Sequence, residues 1–210
     1  MPIFKVGEQV CFFAHVPKCA GTSIEDYLAK RFGQLAFQNR KFKPGHSKNW
    51  LANSPQHIPA PQLSTLFPQG FFDAGFAFVR NPVDRFLSAF NFHQVKRGKI
   101  AANVTPQQWL TDLPKFDPER HALYDNHFLP QVTFVPEWCE VFKLEDGFDG
   151  FYAWLEALTG EQTSAQVGQK LAGKYENPEL NAEFVASIER LYTEDYDAFG
   201  YEKRGSMKLA

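Results

Sequence analysis

Cysteine is scarce in this sequence, neither sign of charge dominates, and no apolar run approaches the length of a membrane span. Each absence removes a class of protein. The three cysteines among 210 residues, Cys11, Cys19 and Cys139, do not make a disulfide framework. A formal charge of −2 gives no global attraction to nucleic acid or to an anionic membrane. The first apolar run is short, is broken by His15 and lacks a basic leader, so no signal peptide is read. The expected location is the cytoplasm, with no membrane anchor. Internal repeats, low-complexity tracts, a linker between domains and a spaced His/Cys/carboxylate metal cluster are not seen either. The expectation is a single domain, 1–210, with no metal. Phenylalanine, in contrast, is abundant at 22 residues and predicts an aromatic-rich core.

The chain is organised around Val10 to Phe32. Val10, Cys11, Phe12, Phe13 and Ala14 form a near-continuous apolar run, the pattern of a strand covered on both faces. Ile24, Tyr27, Leu28 and Phe32 then fall at helical spacing, with Lys30 and Arg31 in the last turn and Gly33 as the stop. Between strand and helix lies Pro17-Lys18-Cys19-Ala20-Gly21-Thr22-Ser23. Small residues let backbone N–H groups point inward, and the helix start adds free donors. With one lysine and two hydroxyls, these make a phosphate cradle. It is not a Walker A loop, because the lysine precedes the glycine.

A second strand-to-helix unit runs from Phe76 to Phe90. Asn81 suits a helix cap, Pro82 the first helical position and Asp84 the first turn. Val83, Phe86, Leu87 and Phe90 make the buried stripe. Arg80 therefore stands at the carboxyl end of a strand, where open α/β sheets bind ligands, and Ser88 lies two turns along the helix. An arginine and a hydroxyl so placed suit a second phosphate. The expected fold is α/β, with three layers around a central, mainly parallel sheet.

HVPKCAGTS followed by FVRNPVDRFLSAF resembles the sulfotransferases that use 3'-phosphoadenosine 5'-phosphosulfate (PAPS). The likeness is closer to the branch with the heparan and uronyl 2-O-sulfotransferases and related carbohydrate sulfotransferases. Weaker likeness continues through Asn126 to Gln131 and Leu191 to Tyr201. The resemblance implies a P-loop-like fold with PAPS as donor, PAP as product and no catalytic metal. It implies that Lys18, Gly21, Thr22 and Ser23 hold the 5'-phosphosulfate, with the backbone of Cys19 and Ala20, and that Arg80 and Ser88 hold the 3'-phosphate. The relatives often have Lys-Thr or Lys-Ala where this chain has Lys18-Cys19, which leaves the backbone role and removes a side-chain contact. The acceptor implied is a hydroxyl of a carbohydrate or small metabolite, with lipids and tyrosyl peptides left open. Oligomeric state is not legible.

Sulfuryl transfer requires alignment of two oxygens, stabilisation of charge on the leaving phosphate and removal of the acceptor's proton. Lys18 suits the second task and a histidine the third. Of the six histidines, His57 precedes Arg80 by a span similar to that of the catalytic histidine in the 2-O-sulfotransferase relatives. His127 resembles a recurring family position and is the second candidate for the base. His15 is expected to brace the loop, His46 to contact acceptor, and His93 and His121 to lie on helix surfaces. The stretch from Asn39 to Lys48 is either a solvated loop or a basic rim for an anionic acceptor. Lys170, Lys174 and Tyr175 are candidates to close over PAPS. Two rival readings remain at this stage: a nucleotide-dependent kinase on a related P-loop fold, which lacks a Walker A sequence and a clear strand-end aspartate for magnesium, and a non-catalytic PAPS- or PAP-binding module.

Overall fold

The computed structural model describes residues 1–46, 49, 51–163, 165–168 and 180–203. The sequence expectations at Ser47, Lys48, Lys170, Lys174 and Tyr175 fall outside them. A four-stranded sheet lies at the centre, in the order β1 (Ile3–Val6), β2 (Gln9–Ala14), β3 (Ala74–Val79) and β4 (Glu140–Lys143). β2, β3 and β4 are parallel, and β1 is antiparallel to β2. β1 adds a strand that the sequence analysis does not predict. Ile3 pairs with Phe12 through a tight turn in which Gly7 takes φ +58, a conformation that suits glycine at the first turn position of a hairpin.

Aromatic side chains fill one face of the sheet. The ring of Phe13 stacks on Phe76 at 4.8 Å, and Phe76 meets Phe151 at 4.8 Å. Phe151 belongs to α6 (Asp149–Thr159) and also touches Tyr27 of α1 (Gly21–Phe32). On the opposite face Phe12 meets Phe72 and Trp138. Trp138 lies so close to Gly75 that a Cβ there would approach its ring to 2.3 Å. A second apolar cluster joins α3 (Pro82–Asn91), α4 (Pro106–Asp112) and α7 (Ala182–Leu191) through Phe86, Phe90, Trp109, Phe184 and Ile188. α2 (Ala60–Leu66), α5 (Pro118–Leu123) and α8 (Thr193–Phe199) complete the helices of the described residues.

The local signals for the helix starts are realised. Asn81 accepts a hydrogen bond from the Val83 N–H, and Thr105 forms a reciprocal capping box with Gln108. The helix from Pro82 keeps its α-helical form only to Asn91. It changes at Phe92–Lys96 into a wider π-helical turn, closed by Arg97 N–H to Phe92 C=O. Such turns are frequent at functional sites.

One buried cation was not singled out by the sequence. Arg85, fully buried on α3, donates to the carbonyls of His127 (3.0 Å) and Leu129 (2.8 Å) and faces Asp195 at 4.0 Å. It fixes the path of the chain around His127. Arg85→Met would leave two buried carbonyls and the Asp195 carboxylate without it. We expect a loss of about 3–5 kcal/mol, read from urea unfolding.

Candidate active site

Because β2 and β3 are adjacent and parallel, their carboxyl ends emerge side by side. The chain beyond β2 curls through left-handed Lys18 (φ +71) and Ala20 (φ +59), then enters α1 at Gly21. This concave backbone and the first turn of α1 present N–H groups to a common space. Gly21 is dictated by packing: a Cβ would lie 1.8 Å from Nε2 of His15, whose ring covers the start of the helix. The Cys19 side chain points into the protein, where its thiol contacts Gln131 Oε1 at 3.3 Å, and burial pushes the thiol up to about 12. It is a neutral packing group, so the backbone is what Cys19 offers a ligand.

Gln131 couples the two strand ends. Its side chain accepts from the Arg80 N–H (2.9 Å) and donates to the Arg80 carbonyl (2.8 Å), while its oxygen also meets Cys19. One fully buried side chain therefore sets both corners. The Lys18 ammonium lies over the Phe92 ring at 4.1 Å, and Arg97 lies over the same ring at 5.2 Å. Burial first, then the charge of Arg80, lowers Lys18 to about 8.

A cleft of about 1110 Å³ spans these corners. Lys18, Ala20, Gly21, Thr22, Ser23, Arg80, Ser88 and His57 all line it, as do His15, His93 and His127. The predicted loop, the predicted arginine–serine pair and the first-choice histidine thus share one space. His46 and His121 are outside its lining. His46 is exposed, and His121 packs on Phe116.

The histidines form a packed group. His15 bonds through Nδ1 to Glu25 at 2.8 Å, consistent with the bracing role expected of it. Burial pushes Glu25 up, but the bond and charge of His15, with Gln38 and Arg40, outweigh it and hold the carboxyl at about 2. His57 meets His15 edge-on at 4.7 Å and His127 at 5.1 Å. Its Nδ1 is 3.0 Å from Asp125 Oδ2, and its Nε2 is buried with no hydrogen-bond partner among the described residues. His127 Nδ1 pairs with His93 Nε2 at 3.0 Å. Burial, reinforced by neighbouring histidines and Lys18, keeps His127 well below the usual imidazole range, and burial lowers His93 to about 3.

His93 corrects the sequence reading. It is 2% exposed and lies inside the group, not on a helix surface. Phe86, Phe90 and His93 continue one helical stripe, a signal that was available. Of the Asn39–Lys48 stretch, Asn39, Arg40, Phe42, Lys43 and Pro44 line the cleft, and Arg40 pairs with Glu25 and Asp26.

Folding also assembles a donor set that linear spacing did not show. His57, Asp125 and His127 place potential ligand atoms within 4.8 Å of one another. Two imidazoles and a carboxylate can bind a transition cation. Two features oppose residence of one. Asp125 already accepts from Ser54 N–H, Ser54 Oγ and His57, and the positive field of Lys18 bears on His127.

No helix of the described residues is long and apolar enough to cross a membrane. Comparison with known families matched residues 2–202 to the model described as "Sulfotransferase family". Comparison with curated proteins and with solved structures returned no match.

Proposed function

Because the chain belongs to the sulfotransferase family, whose model covers residues 2–202, we propose that it moves a sulfuryl group from PAPS to an acceptor hydroxyl of a carbohydrate or small metabolite. The observation that supports this reading is the convergence of the Lys18 loop, the Arg80–Ser88 pair and His57 on one cleft of about 1110 Å³. That volume lies just above the usual range of about 300–1,000 Å³ for ligand pockets and suits two substrates. In this reading residues 1–210 form one three-layer, P-loop-like domain. Parallel β2, β3 and β4 supply its central sheet, and α1 and α6 against one face supply one of its two helical layers. Free, buried Cys11, Cys19 and Cys139 fit a reducing compartment such as the cytoplasm.

The residues fit a donor with phosphates at both ends. The curled backbone at Lys18–Gly21 suits the 5' side, and half-buried Arg80 and Ser88, which line the same cleft, suit the 3'-phosphate. When bound, PAPS supplies the sulfuryl group and a phosphate leaving group. Lys18 stabilises the negative charge that grows on the leaving oxygen as the sulfur–oxygen bond breaks. His57 Nε2 takes the hydroxyl proton as the acceptor oxygen bonds to sulfur.

Transfer of labelled sulfate from PAPS across an acceptor panel tests the reaction. A thermal shift with ATP–magnesium and none with PAPS would favour a kinase instead. Binding without transfer to any acceptor would favour a binding module. Arg80 carries a separate expectation. Arg80→Ala is expected to weaken PAPS and PAP by about 1.5–3 kcal/mol, the worth of a charge-assisted hydrogen bond. Adenosine 5'-phosphosulfate, which has no 3'-phosphate, should lose much less. Equal losses by calorimetry would remove Arg80 from the 3'-phosphate.

A further inference from the structure

We propose that Asp125 is the positioning residue for the base: its carboxylate fixes the tautomer and the aim of His57, leaving Nε2 as the nitrogen that accepts the proton. The inference rests on the reading of His57 as the base and adds a residue that neither sequence motif contains.

The turn after α5 has two consecutive left-handed residues, Asp125 (φ +55) and Asn126 (φ +60). Left-handed φ is rare outside glycine, and asparagine and aspartate tolerate it best. The turn is held by Asp125 N–H to the Ala122 carbonyl (2.8 Å) and Asn126 N–H to the His121 carbonyl (3.0 Å). It sends both side chains to one target. Asp125 Oδ2 meets the His57 ring at 3.0 Å, and Asn126 Nδ2 donates to the His57 carbonyl at 3.1 Å. Asn53 Nδ2 donates to the same carbonyl at 3.0 Å. The histidine is therefore gripped at ring and backbone.

The donor count decides the tautomer. Asp125 Oδ1 accepts from the Ser54 N–H at 2.6 Å, and Oδ2 accepts from Ser54 Oγ at 3.0 Å. Burial opposes ionisation, but the charge and bond of His57 with the Ser54 bonds outweigh it and keep the carboxyl well below the usual carboxylate range. An ionised carboxylate only accepts, so the imidazole nitrogen facing it must carry the hydrogen. The lone pair is then on Nε2, the atom with no hydrogen-bond partner among the described residues.

Asparagine at this position makes a sharp test. The Ser54 N–H demands an acceptor at the Oδ1 place, which puts the amide nitrogen opposite His57 Nδ1. His57 must then accept there and move its proton to Nε2, where it blocks the base. The experiment combines imidazole ¹⁵N spectra, with the His57 signal assigned through His57→Gln, and single-turnover transfer. Wild type is expected to show hydrogen on Nδ1. Folded Asp125→Asn should shift it to Nε2, lower kcat by about 100-fold or more, and leave PAP affinity near that of wild type. Hydrogen on Nε2 in wild type, or an unchanged tautomer in folded Asp125→Asn, would overturn the proposal. Should Asp125→Asn not fold, the wild-type spectrum alone decides. Near-normal transfer by His57→Ala would sink the base assignment, and the tautomer measurement would still judge the clamp separately.

Discussion

His57→Ala is expected to lower turnover by about 10²–10⁴-fold, the usual contribution of a general base. PAPS affinity should change little, because His57 comes from the segment before α2 and belongs to neither the Lys18 loop nor the Arg80–Ser88 segment. His57→Gln is the companion variant: it keeps a hydrogen-bonding side chain and cannot take the proton. The measurement is single-turnover transfer alongside PAPS binding. Near-normal transfer by folded His57→Ala would hand the base to His127. That residue is in ring contact with His57 but is paired with His93 and held neutral by its surroundings.

Lys18→Met is expected to act on both binding and chemistry. Methionine keeps much of the stem over Phe92 and removes the charge. Loss of a donor aimed at a leaving oxygen costs about 10²–10³-fold in kcat. Loss of its charge-assisted bond weakens PAPS by about 1.5–3 kcal/mol. A pH profile separates this role from mere packing. In the ligand-free protein Lys18 ionises at about 8, and an anionic ligand favours its charged form. PAPS affinity should be flat on the acid side of that value and fall as pH rises through it. The fall steepens toward tenfold per unit until the raised pKa of the complex is reached. Lys18→Met should abolish this alkaline fall. A profile of the same shape in the variant would assign the titration to another group.

The parts of the site that local chemistry specifies were legible. The apolar run before His15, the small residues from Cys19 to Ser23, the Asn81-Pro82 start and the stripe on α3 are short-range patterns, and the structure places each as read. β1 was not legible, because its evidence is a partner: Ile3–Val6 becomes a strand by pairing with Gln9–Phe12. His93 was misplaced because a polar residue on a helix suggests solvent, although its position follows Phe86 and Phe90.

The sequence by itself determined the two strand–loop–helix units, the curled loop at Lys18 and the arginine at a strand end. Backbone preference, capping and apolar period act over a few residues, so a linear reading reaches them. Only the tertiary structure decided what meets in the cleft. His15, His57, His93 and His127 come from four separate segments, and Asp125 reaches His57 across 68 positions of chain. Gln131 joins Cys19 to Arg80, and Arg85 carries the backbone of His127. These contacts follow from sheet order and from the packing of α3 and α5 beyond it. No local pattern carries that order, because a side chain's partner is set by where the other segments return.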